Sequence, residues 1–239
     1  MDFTQNSPSP VNSRKSRQLH PAVKWGYTGF MAVLVPYYWY CYGPTNFLYF
    51  CDIALFLTLA AVWTERRLFA SMAAVGICAV QVLWQVDFLA TLAGFPLTGL
   101  TAYMFNPELS LVARGLSFFH FWLPILVLYL VWKLGYDRRA FIGWTGLAWA
   151  AMLISYLFLP GPGDVLAYAN QPNNVNYVYG LGAEAQTWMP ELAWLVVMLV
   201  GLPCLVYAPS HFALRWFAPG EKKVSDEFSA EACAALGCN

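Results

Sequence analysis

Six long apolar runs divide the chain, each bounded by a polar or Gly/Pro-rich segment. They predict helices over about 25–42, 46–64, 68–92, 114–133, 140–159 and 188–208, each near the length that crosses a hydrocarbon core of about 30 Å. The first run ends in Tyr37-Tyr38-Trp39-Tyr40-Cys41-Tyr42, an aromatic belt of the kind that sits at a membrane–water interface. Gly43-Pro44-Thr45 then predicts a tight turn, with Thr45 or Asn46 capping the second helix. The separators that follow are Glu65-Arg66-Arg67, a loop holding Gly94, Pro96, Gly99 and Pro107, a basic turn from Lys133 to Arg139, and a loop over 160–187 rich in Gly, Pro and Asn. Residues 1–22 are too polar to bury a core and predict a disordered tail. Residues 210–239 predict a second polar tail, with a short amphipathic piece at its end. The expected architecture is all-α: one bundle of six transmembrane helices over 23–209.

Composition supports this class. Hydrophobic residues make up 59% of the 239, and charged residues only 11%, against about 25% in a soluble domain. The formal net charge is zero, so no nucleic-acid partner is expected, and membrane lipids are the expected surroundings. Six spans put both termini on one side. Of the 13 Lys and Arg residues all but Arg114 fall on that side, which makes it cytoplasmic by the bias of basic residues. A bacterial inner membrane is the expected location. No repeat of the transporter kind is visible.

The six cysteines form no metal motif, and neither a metal nor another cofactor is expected. Cys41, Cys51, Cys78 and Cys204 lie in apolar runs, where a free thiol acts as a small hydrophobe. A Cys41–Cys51 disulfide requires the helix ends to bring the two close together. Cys233 and Cys238 lie in the polar tail, and the C-terminus is not a prenylation box.

Against this apolar background the few polar residues stand out. Asp52 falls about seven residues into the second helix, ~10 Å deep, and His120 about six residues into the fourth, ~9 Å deep. Both belong to the outer half of the membrane, as does Asp87 near the end of the third helix. Glu191 lies nearer the surface. A buried acid at such depth is costly and marks a functional candidate. Each also has a structural explanation. Glu191 follows Pro190 and suits a helix start. Gln81 and Gln85 share a face at i, i+4 and can join helices. Asp87 can reach a loop amide. Asp52 is set too deep for a cap. At His120, Pro124 removes the amide that would bond the His120 carbonyl, and Ser117 one turn earlier can orient the ring. Cys51 gains chemical interest only beside a base such as His120. In the last loop, Asn170, Gln171, Asn173, Asn174 and Asn176 mix with Tyr168, Tyr177 and Tyr179, and we expect this loop to fold back toward Asp52 or His120.

The six-helix layout, a polar residue early in the second helix, a histidine early in the fourth and Asn176-Tyr177-Val178-Tyr179 before the last helix resemble a known superfamily. It is that of the intramembrane hydrolases named for an androgen-induced protein, with bacterial six-helix relatives and an animal cysteine-dependent phospholipid acyltransferase. The resemblance implies a Thr or Cys nucleophile and a histidine acting on lipid esters, here Cys51 and His120. The whole chain also resembles bacterial integral-membrane proteins described only as membrane-associated protein, which implies no activity.

Three functions are open at this point. An intramembrane lipid hydrolase or acyltransferase would use Cys51 as nucleophile, His120 as base and Asp52 or Asn46 to orient it. A binding or transport protein would line an outer cavity with Asn46, Gln81, Gln85, Asp87, Ser117, Asn176, Tyr177 and Glu191. A structural assembly partner would use these groups only to pair helices. The orientation is testable first: a cysteine label at Ser7 and a reporter fused after Asn239 are expected on the cytoplasmic side, and a label at Asn173 outside. Termini on opposite sides would contradict six spans.

Overall fold

The computed structural model describes residues 18–168, 170–182 and 184–218. Most of the N-terminal tail, Cys233, Cys238 and the amphipathic piece expected near the C-terminus lie outside the described residues. Within them the chain is all-helical. The elements are α1 (Pro21–Tyr42), α2 (Phe50–Thr64), α3 (Arg67–Leu92), α4 (Leu111–Ser117), α5 (Phe119–Leu134), α6 (Ala140–Phe158), α7 (Glu191–Leu202) and α8 (Ala208–Phe217). Helices α4 and α5 form one rod bent at Phe118, and α7 and α8 form another through a π-helical turn at Pro203–Tyr207. Six rods result. Four segments are long and apolar enough to cross a membrane: Arg67–Leu92, Leu111–Leu134, Ala140–Phe158 and Glu191–Phe217. The last rod runs on to Phe217, beyond its expected end near 208.

The second helix departs most from expectation. Instead of starting at 46 it starts at Phe50, after a short 3-10 turn over Pro44–Leu48 and a non-helical Tyr49. Its 15 residues span only about 22 Å. Asp52 is therefore in the first helical turn, where an acid complements the helix dipole. The expectation that it lies too deep for a helix start is corrected, because the helix itself begins deep.

Helix α3 is the hub, in contact with α2, α5, α6 and α8. Its inward face is built from small residues, including Ala70, Ser71, Ala73, Ala74 and Gly76, which allow close helix approach. Gly76 shows why: a Cβ there would run into the indole of Trp144 on α6. Both described chain ends lie at one end of the bundle. Lys24 pairs with Glu65 at 2.6 Å, Tyr136 bonds His211 at 2.6 Å, and Arg67 approaches Asp137 at 3.7 Å. This basic end faces away from the two long loops.

At two of the prolines inside the rods, the carbonyl left without its helical partner receives a donor from a neighbouring helix. Pro124 frees the His120 carbonyl, which accepts from Gln85 Nε2 at 2.8 Å. Pro203 frees the Leu199 carbonyl, which accepts from Trp149 Nε1 at 2.7 Å. With no water in the bilayer core, such groups must find partners within the protein.

At the basic end, Asp137 is buried, with its carboxylate on Arg139 Nε and NH2 (3.1 and 2.9 Å) and its amide on Ser71 Oγ (2.9 Å). Bonding to the Arg139 side chain holds its carboxyl below the usual carboxylate value. A depressed folded-state pKa gives stability that is present above the unfolded value, near 4, and is lost as pH falls below it. We therefore expect Asp137→Asn to lower the melting temperature in detergent at pH 7, with the difference from wild type shrinking below about pH 4. A pH-independent difference would contradict this.

Candidate polar site at the loop end

The interrupted start of α2 creates the site. Tyr49 is extended, so the helix opens with amides that have no intrahelical partner. Asn176, from the 160–187 loop, fills the gap: its Oδ1 accepts from Phe50 N at 3.0 Å and its Nδ2 donates to the Leu48 carbonyl at 2.9 Å. The side chain is buried. Asn174, Asn176 and Tyr177 all take positive φ, at 47°, 60° and 58°. Asn tolerates this region and Tyr does not readily. Further bonds hold the loop in place. Asn174 Nδ2 donates to Gly180 O and Gly182 O, Tyr179 to Tyr156 O, and Trp194 Nε1 to Tyr177 O. The loop thus folds back onto the bundle, with Asn176 beside the Cys51–Asp52 pair. Tyr168 closes its far side by donating to Tyr42 O at 2.8 Å, over Gly43, whose φ of 74° and lack of a Cβ leave room for the phenol.

Asp52 is 3% exposed. Its Oδ2 accepts from Asn46 Nδ2 at 3.1 Å, and its Oδ1 has no partner. Tyr38, Tyr49, Tyr103 and Tyr177 lie near Cys51, and Tyr38 and Tyr49 also near Asp52. Tyr38 also bonds Ser117 Oγ at 3.2 Å, which leads to His120.

The His120 ring is fixed by the bend between α4 and α5. There Phe121 N turns to the Phe118 carbonyl, which releases the Ser117 carbonyl. His120 Nδ1 takes it at 2.7 Å. A carbonyl only accepts, so Nδ1 carries the proton and Nε2 presents a lone pair. The ring stacks on Trp84 at 4.5 Å between centroids. Pro124 and Ser117 thus set the backbone and the tautomer together.

Gln81 lies one turn below Gln85 on α3. It is 1% exposed, and neither atom of its amide has a partner. Asp52, Gln81 and His120 lie 12, 14 and 14 residues from the basic ends of their helices at Thr64, Arg67 and Leu134, or about 18–21 Å. Helices α2, α3 and α5 touch one another pairwise. Three buried polar side chains therefore lie at one level on three mutually packed helices, with the half-buried Cys51, Tyr49 and Tyr177 and the exposed Tyr103 toward the loop end.

Other expected members lie elsewhere. Asp87 is fully used as a loop anchor: its Oδ1 accepts from the amides of Leu97, Thr98 and Gly99, and its Oδ2 from the amide and hydroxyl of Thr101. Glu191 is exposed in the first turn of α7. Gln85 joins α3 to α5, whereas Gln81 bonds nothing. The pairing expected between Asp52 and His120 is absent: the partner of Asp52 is Asn46. No hydrogen bond joins Cys51 to His120 among the described residues, and Cys41 and Cys51 are free thiols. Among the same residues no group of three His, Cys, Asp or Glu side chains is placed to hold a metal. Tyr38 and Tyr103 escaped the sequence reading because they look like ordinary interface aromatics. Two surface grooves lie away from this cluster. One of about 600 Å³ between α1 and α5 is lined by apolar side chains such as Val23, Phe30 and Leu126.

The contact between loop and helix start is testable. Asn176→Ala leaves the Leu48 carbonyl and the Phe50 amide unpaired, at a cost of about 1–3 kcal/mol for each buried group. Hydrogen exchange at the Phe50 amide is expected to quicken strongly, and unchanged exchange would show that the loop does not hold α2. No protein-family model, curated protein or solved structure matches the chain.

Proposed function

We propose that this is a multi-pass membrane protein whose loop-end polar cluster binds a small polar ligand or a lipid headgroup. The observation that carries the reading is buried polar groups without a partner among the described residues at matched depth, Asp52 Oδ1 and both ends of the Gln81 amide, with His120, its tautomer set by Ser117, at the same level. Groups that serve only to pair helices are normally satisfied, because an orphaned buried donor or acceptor costs about 1–3 kcal/mol. Gln85 and Trp149 show what a pairing residue looks like in this protein. Gln81 and Asp52 differ from them, being buried without such a partner among the described residues. By the bias of basic residues the loop end is the outer one.

Hydrolysis or acyl transfer through a Cys51 thiolate, as the family resemblance suggests, asks for the thiol within hydrogen-bond reach of its base. His120 Nε2 is poised as an acceptor, but Cys51 makes no bond to it. The binding reading therefore takes precedence.

Binding sites are locally unfavourable to stability, and this separates binding from helix pairing. Gln81→Leu removes two orphaned polar atoms at similar volume. The binding reading expects the melting temperature of the detergent-solubilised variant to stay level or rise. A drop of the size produced by Gln85→Leu, which unpairs the His120 carbonyl, would make Gln81 a structural residue and count against the site.

A further inference from the structure

The groove of about 600 Å³ between α1 and α5 lies in the basic half of the bundle, apart from the cluster above. Gly26 lines it on the α1 side, and a Cβ there would meet nothing within 4 Å outside its own stretch of helix. Its wall is aromatic: Trp122 packs edge-on against Tyr27 and Phe30, at 6.1 and 4.8 Å between centroids. The Tyr27 hydroxyl is committed to the Leu55 carbonyl at 2.9 Å, so the groove presents apolar surface. Helix α1 leaves the basic end and α5 returns to it, so the mouth, between Ala22 and Tyr129, faces that end.

The mouth is positively charged. Trp122, Leu126 and Tyr129 form the α5 side of the groove, at the i, i+4, i+7 spacing of one helix face. Lys133 continues that stripe one turn on, with its Cα–Cβ bond tilted back toward Tyr129. Lys133 is half-buried and makes no ion pair or hydrogen bond among the described residues, and the Tyr129 hydroxyl is likewise unbonded among them. The acids described at this end are already paired, Glu65 with Lys24 at 2.6 Å and Asp137 with Arg139 at 2.9 Å. Arg14, Lys15 and Arg17 stand just ahead of α1 in the sequence. An apolar groove that ends in uncompensated positive charge matches a molecule with an apolar chain and an anionic head. We infer that the groove seats an acyl chain of an acidic phospholipid from the leaflet at the basic end, with its phosphate on Lys133 and Tyr129. Lysine binds phosphate as a point charge, and basic pockets between membrane helices hold anionic headgroups. A zwitterionic lipid has the same chains but brings its own cation to the mouth, where it meets Lys133 with like charge.

The test measures the melting temperature of the purified full chain in detergent, with added phosphatidylglycerol, with phosphatidylcholine of the same chains at the same mole fraction, or with glycerol 3-phosphate alone. A ligand that binds only the folded state stabilises it in proportion to the logarithm of its concentration above Kd. We expect phosphatidylglycerol to raise the melting temperature several degrees more than phosphatidylcholine, and glycerol 3-phosphate to give no rise. Lys133→Gln should abolish the difference between the two lipids, and Lys133→Arg should keep it. Gly26→Leu fills the groove without a clash and should lose the phosphatidylglycerol response while still melting cooperatively. Equal responses to the two lipids, a preference that persists in Lys133→Gln, or a full response in Gly26→Leu would overturn the inference. A rise with glycerol 3-phosphate equal to that with phosphatidylglycerol would overturn it as well, since no chain would then be needed, and so would no rise in any arm.

Discussion

An apolar solvent gives a broken backbone nothing to bond to, and the rest of this structure follows from how that constraint is met. At four breaks in the rods, a side chain from another element takes over the stranded group. Gln85 covers the His120 carbonyl above Pro124, and Trp149 covers the Leu199 carbonyl above Pro203. The His120 ring covers the Ser117 carbonyl at the bend between α4 and α5. Asn176 covers both sides of the break ahead of α2, reaching across 126 and 128 positions of sequence. These contacts bind the elements together more specifically than apolar packing, which distinguishes poorly between one helix face and another in lipid.

The same interruptions produce the polar cluster. Because α2 starts late, its first turn, with Cys51 and Asp52, opens inside the bundle rather than at its surface. Because the rod of α4 and α5 bends, His120 is turned and its tautomer set. The small residues of α3 draw α2, α5 and α6 inward, and Gln81 is enclosed where no neighbour bonds it. The outcome is a set of groups that each cost stability as they stand, near breaks at Pro124, Pro203 and the start of α2 whose backbone groups are satisfied. That contrast favours a ligand over a purely architectural role.

Much of this was legible in the sequence. Helices three to five follow their apolar runs closely, and the opening of the backbone at His120 follows from Pro124 alone. The long loop was marked by its mixture of amides and tyrosines. Less visible was whatever depends on distant partners. Phe47, Leu48 and Tyr49 read as a continuing helix, since no local residue signals a stop; the break is stabilised by Asn176. Asp87 resembles Asp52 in the sequence, and only the fold of residues 97–101 shows that one carboxylate is saturated and the other half free. Gln81 and Gln85 are likewise equivalent by spacing, and just one of them meets an open carbonyl.

The central claim is that α2 begins within the bundle and that its first turn belongs to a polar cluster at the loop end. It is tested most directly by a spin label on Cys51, with the other cysteines replaced, in lipid vesicles. The account predicts collisions with a water-soluble nickel relaxant well above those of labels at lipid-facing positions of similar depth, such as Ile125 and Leu153, and low collisions with oxygen. Oxygen-dominated relaxation at Cys51, equal to that at Ile125, would place the start of α2 against lipid and contradict the account.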